Sequence, residues 1–468
     1  MGDADAARIG RRALVVAVVL ALALAAGAMW ARRPRLEAIE IGQQTTYITS
    51  PTRADGWVDY PEAVDWMRRA SLDAGGANAA PPLVRALGPN LLLPSADRDT
   101  LLKRIGIDAG STAALLTPLR AFKAQVGSRY SAPSPETLEW FQARCRAGKT
   151  IIRTSAWLGQ LQAAFSELHA AARAASLYVP VSREPGAARG FARVDVKRLS
   201  DGMDAMACWA AIRMLEGDVA TSWSETESLW TLGLMVARSA SGTEYAGGAG
   251  FWKAAVVATV DLAASPRTSP ETLAAMEARI AALAFPPATE ALMIDRLALL
   301  DAVGTPRVVK AADGATTVRA GTVALLESIN RHFDALEAAL RATNARERSA
   351  AVARIDAAAP AIAGLERSVG RDLLAVELRA SSYQRLARVA VALALRQRAQ
   401  GALPSSLAEL GQLGDVARDP ASGDTFHYIV TGRQFRLYGA GEDGQDDSGA
   451  ANKDITVDGQ EPPRLEVR

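Results

Sequence analysis

The chain has 468 residues, 49% of them apolar, with 53 Lys and Arg against 51 Asp and Glu and a net charge of +2. That length exceeds one small core and predicts about two to four domains, and the apolar fraction excludes wholesale disorder. The near balance of charge excludes a general nucleic-acid binder, which needs a basic face to displace counterions. The three histidines, His169, His332 and His427, lie far apart with no ligand spacing, so Cys145 and Cys208 lack the partners of a zinc site. The two cysteines either form one disulfide of an exported protein or stand as two buried thiols.

In chain order, residues 13–31 form an uninterrupted apolar run, flanked by Arg8, Arg11 and Arg12 on one side and by Arg32, Arg33 and Arg35 on the other. A helix of about 20 residues spans the hydrocarbon core, and Trp30 stands where an interfacial aromatic belongs. The run predicts a single membrane anchor, with residues 1–12 as a short cytoplasmic tail. The bulk of the chain is then extracytoplasmic, on the periplasmic side of the inner membrane. Ala26-Gly27-Ala28 offers the alternative, a cleaved signal peptide, but the run is long for one.

Residues 32–379 read as a mainly helical extracytoplasmic region. Residues 34–51 are rich in β-branched residues and predict extended chain. Asp55-Gly56 is a turn signal, 62–70 a helix, and 74–82 a Gly/Ala/Pro loop. Ser134-Pro135-Glu136 and Ser269-Pro270-Glu271 each open a helix, with Ser as cap and Pro at the first helical position. Residues 182–190 mark a boundary or long loop. Beyond it, 199–216 and 221–237 predict a helical hairpin of the tetratricopeptide kind joined at Gly217-Asp218, each helix with an apolar face. Gly247-Gly248 predicts a break. Helices follow at 251–264, 273–283 and 290–303, then a short hairpin or loop at 307–319. Residues 322–400 read as helix, interrupted at Pro360 and Gly370.

Catalytic signatures are missing. Gly148-Lys149-Thr150 lacks the glycine that a phosphate loop needs where Ala143 stands, so Gly148 is read as a helix cap and nucleotide binding is rejected. There is no Gly-x-Ser-x-Gly elbow and no His-Glu-x-x-His helix. Glu167 and His169 lie too close along a helix to share a face, and His169 is read as a partly exposed helical residue. Trp209, Trp223, Trp230 and Trp252 fall at helical spacing and are assigned to core packing rather than to an aromatic cleft.

The C-terminal residues 380–468 carry a sharper pattern. An amphipathic helix over 383–400 ends at Gly401. A turn and a short helix follow through Leu403-Pro404, Leu407 and Leu410, and then a turn at Asp419-Pro420 and Gly423. Strands at 425–430 and 434–438 contain Tyr428, Phe435 and Leu437-Tyr438, and the acidic stretch Gly441-x-Asp443-Gly444 runs on to Asp454-Ile455. Over about the last eighty residues this order resembles the soluble part of type II secretion major pseudopilins. The resemblance implies a small α+β module whose closing loop binds calcium. Its ligands would be Asp443 and Asp454, with Asp446 and Asp447 and the carbonyl of Leu437 or Gly441. Calcium takes six to eight hard oxygen ligands, and clustered carboxylates repel unless a cation sits among them.

The resemblance stops short of the membrane segment. A pseudopilin carries its membrane helix directly ahead of the module, with a glutamate near the start of the apolar run. Here a long helical region intervenes and that glutamate is missing, so assembly into a pilus is not implied. Residues 46–60 and 199–234 resemble uncharacterised membrane-anchored bacterial proteins with similar C-termini. The expectation is a mainly α-helical envelope interaction or scaffold protein. Its partners would be the membrane and envelope proteins, with a link to secretion or pilus-like machinery. The alternative is an envelope hydrolase using carboxylates in a helical cleft.

Overall fold

The computed structural model describes residues 36–73, 75–92, 97–108, 113–118, 158–181, 191–305, 308–310, 316–343, 345–359, 368–411, 413–440 and 455–459. The anchor run 13–31, Cys145, Gly148, the helix start at Ser134, the boundary at 182–190 and Pro360 lie outside them. Among the described residues the fold is mainly helical, with two small antiparallel sheets. Among the described residues no helix is long and apolar enough to cross a membrane.

The chain divides into two compact units. The first takes its described residues from Met1–Val58 and Val303–Ser328. Its sheet joins β1 (Leu36–Ala38), β2 (Val308–Lys310) and β3 (Thr316–Arg319) in the order β1-β3-β2. Of the two readings of 307–319, short hairpin or loop, the antiparallel pairing of β2 with β3 agrees with the hairpin. The extended chain expected over 34–51 is limited to β1, because the carbonyl of Gly42 accepts the N–H groups of Thr45, Thr46 and Tyr47 and folds that stretch into a turn. Asp55-Gly56 makes the expected turn, with Gly56 at φ +81° and the Asp55 carboxylate accepting the Trp57 N–H at 2.9 Å. Trp57 is fully buried, and Gly304 leaves the space that its ring fills.

The second unit spans Asp59–Ala302 and Ile329–Arg468. It opens with α1 (Tyr60–Asp73), α2 (Ala80–Leu87), α3 (Arg98–Arg104) and α4 (Gln162–Ala172). Helix α2 begins inside the expected loop, since its prolines occupy the first turn, where an N–H has no intrahelical partner. The predicted hairpin is α5 (Val196–Glu216) and α6 (Val219–Ala237). Gly217 ends α5 in the left-handed region at φ +87°, and Asp218 caps α6 by accepting the Thr221 N–H.

Helix α7 (Gly242–Ala264) runs straight through the break expected at Gly247-Gly248. Close packing overrides the local preference. A Cβ on Gly248 would lie 2.5 Å from the Gly233 carbonyl oxygen, and one on Gly233 would lie 2.7 Å from the Gly248 carbonyl oxygen. Two glycines thus let the backbones of α6 and α7 meet. The crossing is fixed by Trp230 and Trp252, both fully buried and packed edge to face at 4.9 Å. Trp252 donates to the Trp230 carbonyl at 2.9 Å, and Trp230 donates to Thr259 Oγ1 at 3.1 Å. Trp209 is buried as well and Trp223 packs on a core cluster, so these tryptophans are core.

The remaining described helices are α8 (Pro270–Ala281), α9 (Ala288–Gly304), α10 (Thr322–Leu340), α11 (Ala345–Ala357) and α12 (Val369–Gln400). Ser269 caps α8 as its sequence predicts. Gly370 lies in the first turn of α12 rather than at a break. Asp356 accepts the N–H groups of Gly370 and Arg371, and a Cβ at 370 would run into Leu336 and Val352. Glu377 of α12 accepts from Ala288 at the start of α9 and from Arg348 of α11.

The glycine crossing makes a prediction. Gly248→Ala should destabilise the fold by about 1–3 kcal/mol, as overpacking does. Gly250→Ala, two positions away with nothing within 4 Å of its Cβ, should be neutral or stabilise by up to about 1 kcal/mol. Paired thermal or denaturant unfolding checks this, and equal effects at both positions would contradict the close crossing.

Candidate functional site

The C-terminal module is built on the second half of α12. Leu386, Ala387, Val389, Ala390 and Leu393 are buried there, and Val391 and Ala394 join Leu262, Leu273 and Met276 in one core cluster. Residue 380 lies inside this helix, which is shared between the module and the helices before it. Gly401, at φ +78°, ends the helix, and short 3-10 turns follow at Leu407–Leu410 and Gly414–Ala417. The sheet then joins β4 (His427–Thr431), β5 (Gln434–Gly439) and β6 (Ile455–Gly459) in the order β4-β5-β6. The first two strands fall where the alternating pattern places them. The third continues from Ile455 and lacked a strand assignment in the sequence.

Phe435, Leu437 and Val457 are buried on one face, and β5 and β6 pack against α12, with β6 also against α7. The motif residues meet one another. The Tyr428 hydroxyl donates to the Pro404 carbonyl at 2.9 Å, Leu407 is buried, and His427 stacks on Tyr438 at 4.7 Å. Asp419 is 2% exposed and works as an anchor. Its Oδ1 accepts from Ser382 Oγ of α12 at 3.0 Å and from the Ala421 N–H at 3.1 Å, and its Oδ2 accepts from Ser422 Oγ at 3.3 Å.

The register of β5 and β6 bears on the acidic segment. Gly439 pairs with Ile455, so the sequence 440–454 connects two neighbouring strands. That loop holds five carboxylates, among them Asp443, Asp446, Asp447 and Asp454, against one lysine. Those four residues and Gly441 lie outside the described residues. Leu437 is fully buried in the central strand, opposite Tyr428 and Val457. The donor set is hard oxygen throughout, which fits calcium and not a thiolate- or imidazole-bound metal. Among the described residues no group of three or more His, Cys, Asp or Glu is placed to hold a metal ion.

Carboxylates in the helical middle show perturbed environments that the sequence did not flag. Asp201 and Asp204 stand one turn apart on α5. Burial, reinforced by the Asp201 charge, pushes Asp204 up to about 6. Burial raises Asp201 as well, opposed by Arg198 and Lys197. Glu225 of α6 is buried and lies 2.8 Å from His169 Nε2, while Glu167 pairs instead with Arg85, so Glu167 and His169 do diverge. His332 is buried beside Asp356; burial lowers the imidazole, against the pull of that carboxylate. A signal for Glu225 was present: it falls on the apolar side of α6, four residues from Leu229. Cys208 is buried in α5.

No protein-family model, curated protein or solved structure matches this chain.

Asp204 gives a titration test. Its folded value, about 6, lies above the ordinary 3.8, so the folded chain holds this proton more tightly than the unfolded one. The stability it contributes is present at low pH and is lost as pH rises through about 6. Asp204→Asn should therefore raise stability by about 1–3 kcal/mol at neutral and higher pH and change it little at acid pH. Unfolding of both proteins across pH checks this, and a pH-independent difference would contradict it.

Proposed function

We propose that this chain is an interaction or scaffold protein of the cell envelope. Residues 13–31 anchor it in the inner membrane, and its bulk lies on the periplasmic side. Its C-terminal module is of the pseudopilin kind, which links it to type II secretion or pilus-like machinery. The observation that carries the reading is the pairing of Gly439 with Ile455, which makes the acidic sequence 440–454 the connection between two neighbouring strands of the three-stranded sheet. Calcium there would be held by Asp443 and Asp454, joined by Asp446 and Asp447, with the carbonyl of Leu437 or Gly441. It would neutralise carboxylates that otherwise repel across the loop.

Helical hairpins and a module sharing their core favour a binding role over catalysis. The rival reading, an envelope hydrolase working through carboxylates in a helical cleft, draws its support from the raised Asp201 and Asp204.

Calorimetric titration of the full-length chain with calcium tests the metal reading. Saturable binding should occur and should be lost in Asp443→Ala and Asp454→Ala. A well-folded chain that takes up no calcium would reduce the module to a fold without its metal.

A further inference from the structure

We infer that His332 makes the seat of α12 acid-sensitive: α10, α11 and the first turn of α12 close around its neutral imidazole and part when it takes a proton. The three helices meet at Gly370. A Cβ there would lie 2.5 Å from Leu336 of α10, 2.9 Å from Val352 of α11 and 3.1 Å from Asp356 Oδ1. No side chain fits, so the start of α12 is pressed into the angle of the other two helices. Helix α12 also borrows its cap. Ser368, in the cap position, makes no capping bond, and its hydroxyl donates to Asp372 Oδ2 at 2.7 Å. Asp356 supplies the acceptor from α11 instead, taking the Gly370 N–H at 3.3 Å and the Arg371 N–H at 2.8 Å. An anion at the start of a helix suits its free N–H groups and its dipole.

His332 stands one turn before Leu336 on α10 and is 7% exposed. Its Nε2 is buried and meets no partner among the described residues. An imidazolium carries two N–H donors, and a buried donor without an acceptor is costly. The closed junction therefore accommodates the neutral ring and not the cation. Asp356 of α11 is the one described charge that bears on the ring. Arg371 of α12 stands behind that carboxylate, its Nε 3.7 Å from Oδ2, and on α10 itself Asp334 is taken up by Arg296 of α9 at 2.8 Å. Burial lowers the imidazole below its ordinary 6.5, against the pull of Asp356. An opened junction lets water reach the ring, which then takes its proton at the ordinary value. The closed form holds that proton less tightly, so opening is favoured as pH falls below about 6.5. Asp356 acts in the opposite sense. Burial holds its carboxyl above 3.8, so the closed form keeps that second proton more tightly and is favoured again toward stronger acid. The loosening is a response to mild acid, between those two titrations.

Hydrogen exchange of the full-length chain tests this, read at the amides of Gly370 and Arg371 and expressed as opening constants, with the intrinsic pH dependence of exchange removed. Between pH of about 7.5 and about 5.5 the opening should grow severalfold, with about tenfold the ceiling for uptake of one proton. His332→Gln keeps a polar side chain with no proton to gain, and should lose that growth. If His332→Gln does not fold, titration of the His332 imidazole by NMR in the natural chain decides, and its midpoint should lie below 6.5. Three results would overturn the inference: an opening in the natural chain that does not grow with acid, the same growth in His332→Gln, or a folded imidazole that titrates at or above 6.5.

Discussion

Glu244 sits in the first turn of α7 with no exposed surface, and five donors converge on its carboxylate. The Arg193 N–H and Nε and the Val194 N–H reach Oε1, while the N–H and hydroxyl of Ser241 reach Oε2 in a capping box. Arg68 of α1 stands at 3.9 Å as a second cation. The arginines extend the reach of this one group. Arg193 donates to the carbonyls of Leu177 and Val236, and Arg68 to those of Phe191 and Ser239. Helix α1, the two connections beside α4 and α5, and the ends of α6 and α7 are thereby tied to one carboxylate. Burial alone would raise that carboxyl, but Arg193, Arg68 and the N–H donors outweigh it and hold the group below its ordinary value. Its contribution to stability is therefore full at neutral pH and falls away as pH drops through its depressed value. Breaking such a buried pair costs about 3–5 kcal/mol, because the partner charge is left uncompensated.

With α7 held at its start, the glycine crossing sets its path against α6, and α7 and α12 together form the surface on which the C-terminal sheet rests. Leu437 and Val457 are buried, and Val391 and Ala394 of α12 share a core with Met214 and Leu262 of the helical middle. The module and the central helices are one packed body. A cut at residue 380 would pass through α12 and expose that shared face.

What could be read from the sequence follows the range of the forces involved. The α5–α6 hairpin was legible because Gly217 and Asp218 act locally, as a left-handed cap and a side-chain cap. Ser269 and Asp55-Gly56 were legible for the same reason. Gly247-Gly248 misled because its meaning is tertiary: glycine there answers the approach of another backbone, not a turn. The strand at Ile455–Gly459 was not assigned because its pairing is closed by β5 across an intervening loop. The buried charge at Glu244 was hidden as well, since nothing local tells it from a surface glutamate. Asp419 was legible as a turn residue but not as the carboxylate that joins helix, turn and sheet. The acidic loop was legible as composition alone.

The central claim is that the C-terminal sheet and the helices beneath it act as one packed body. Hydrogen exchange on the full-length chain tests it most directly. Coupling predicts that β5, β6 and the stretches of α7 and α12 on which they pack exchange through one shared opening of about the same free energy. Exchange of β5 and β6 through an opening that leaves α7 and α12 protected would contradict it.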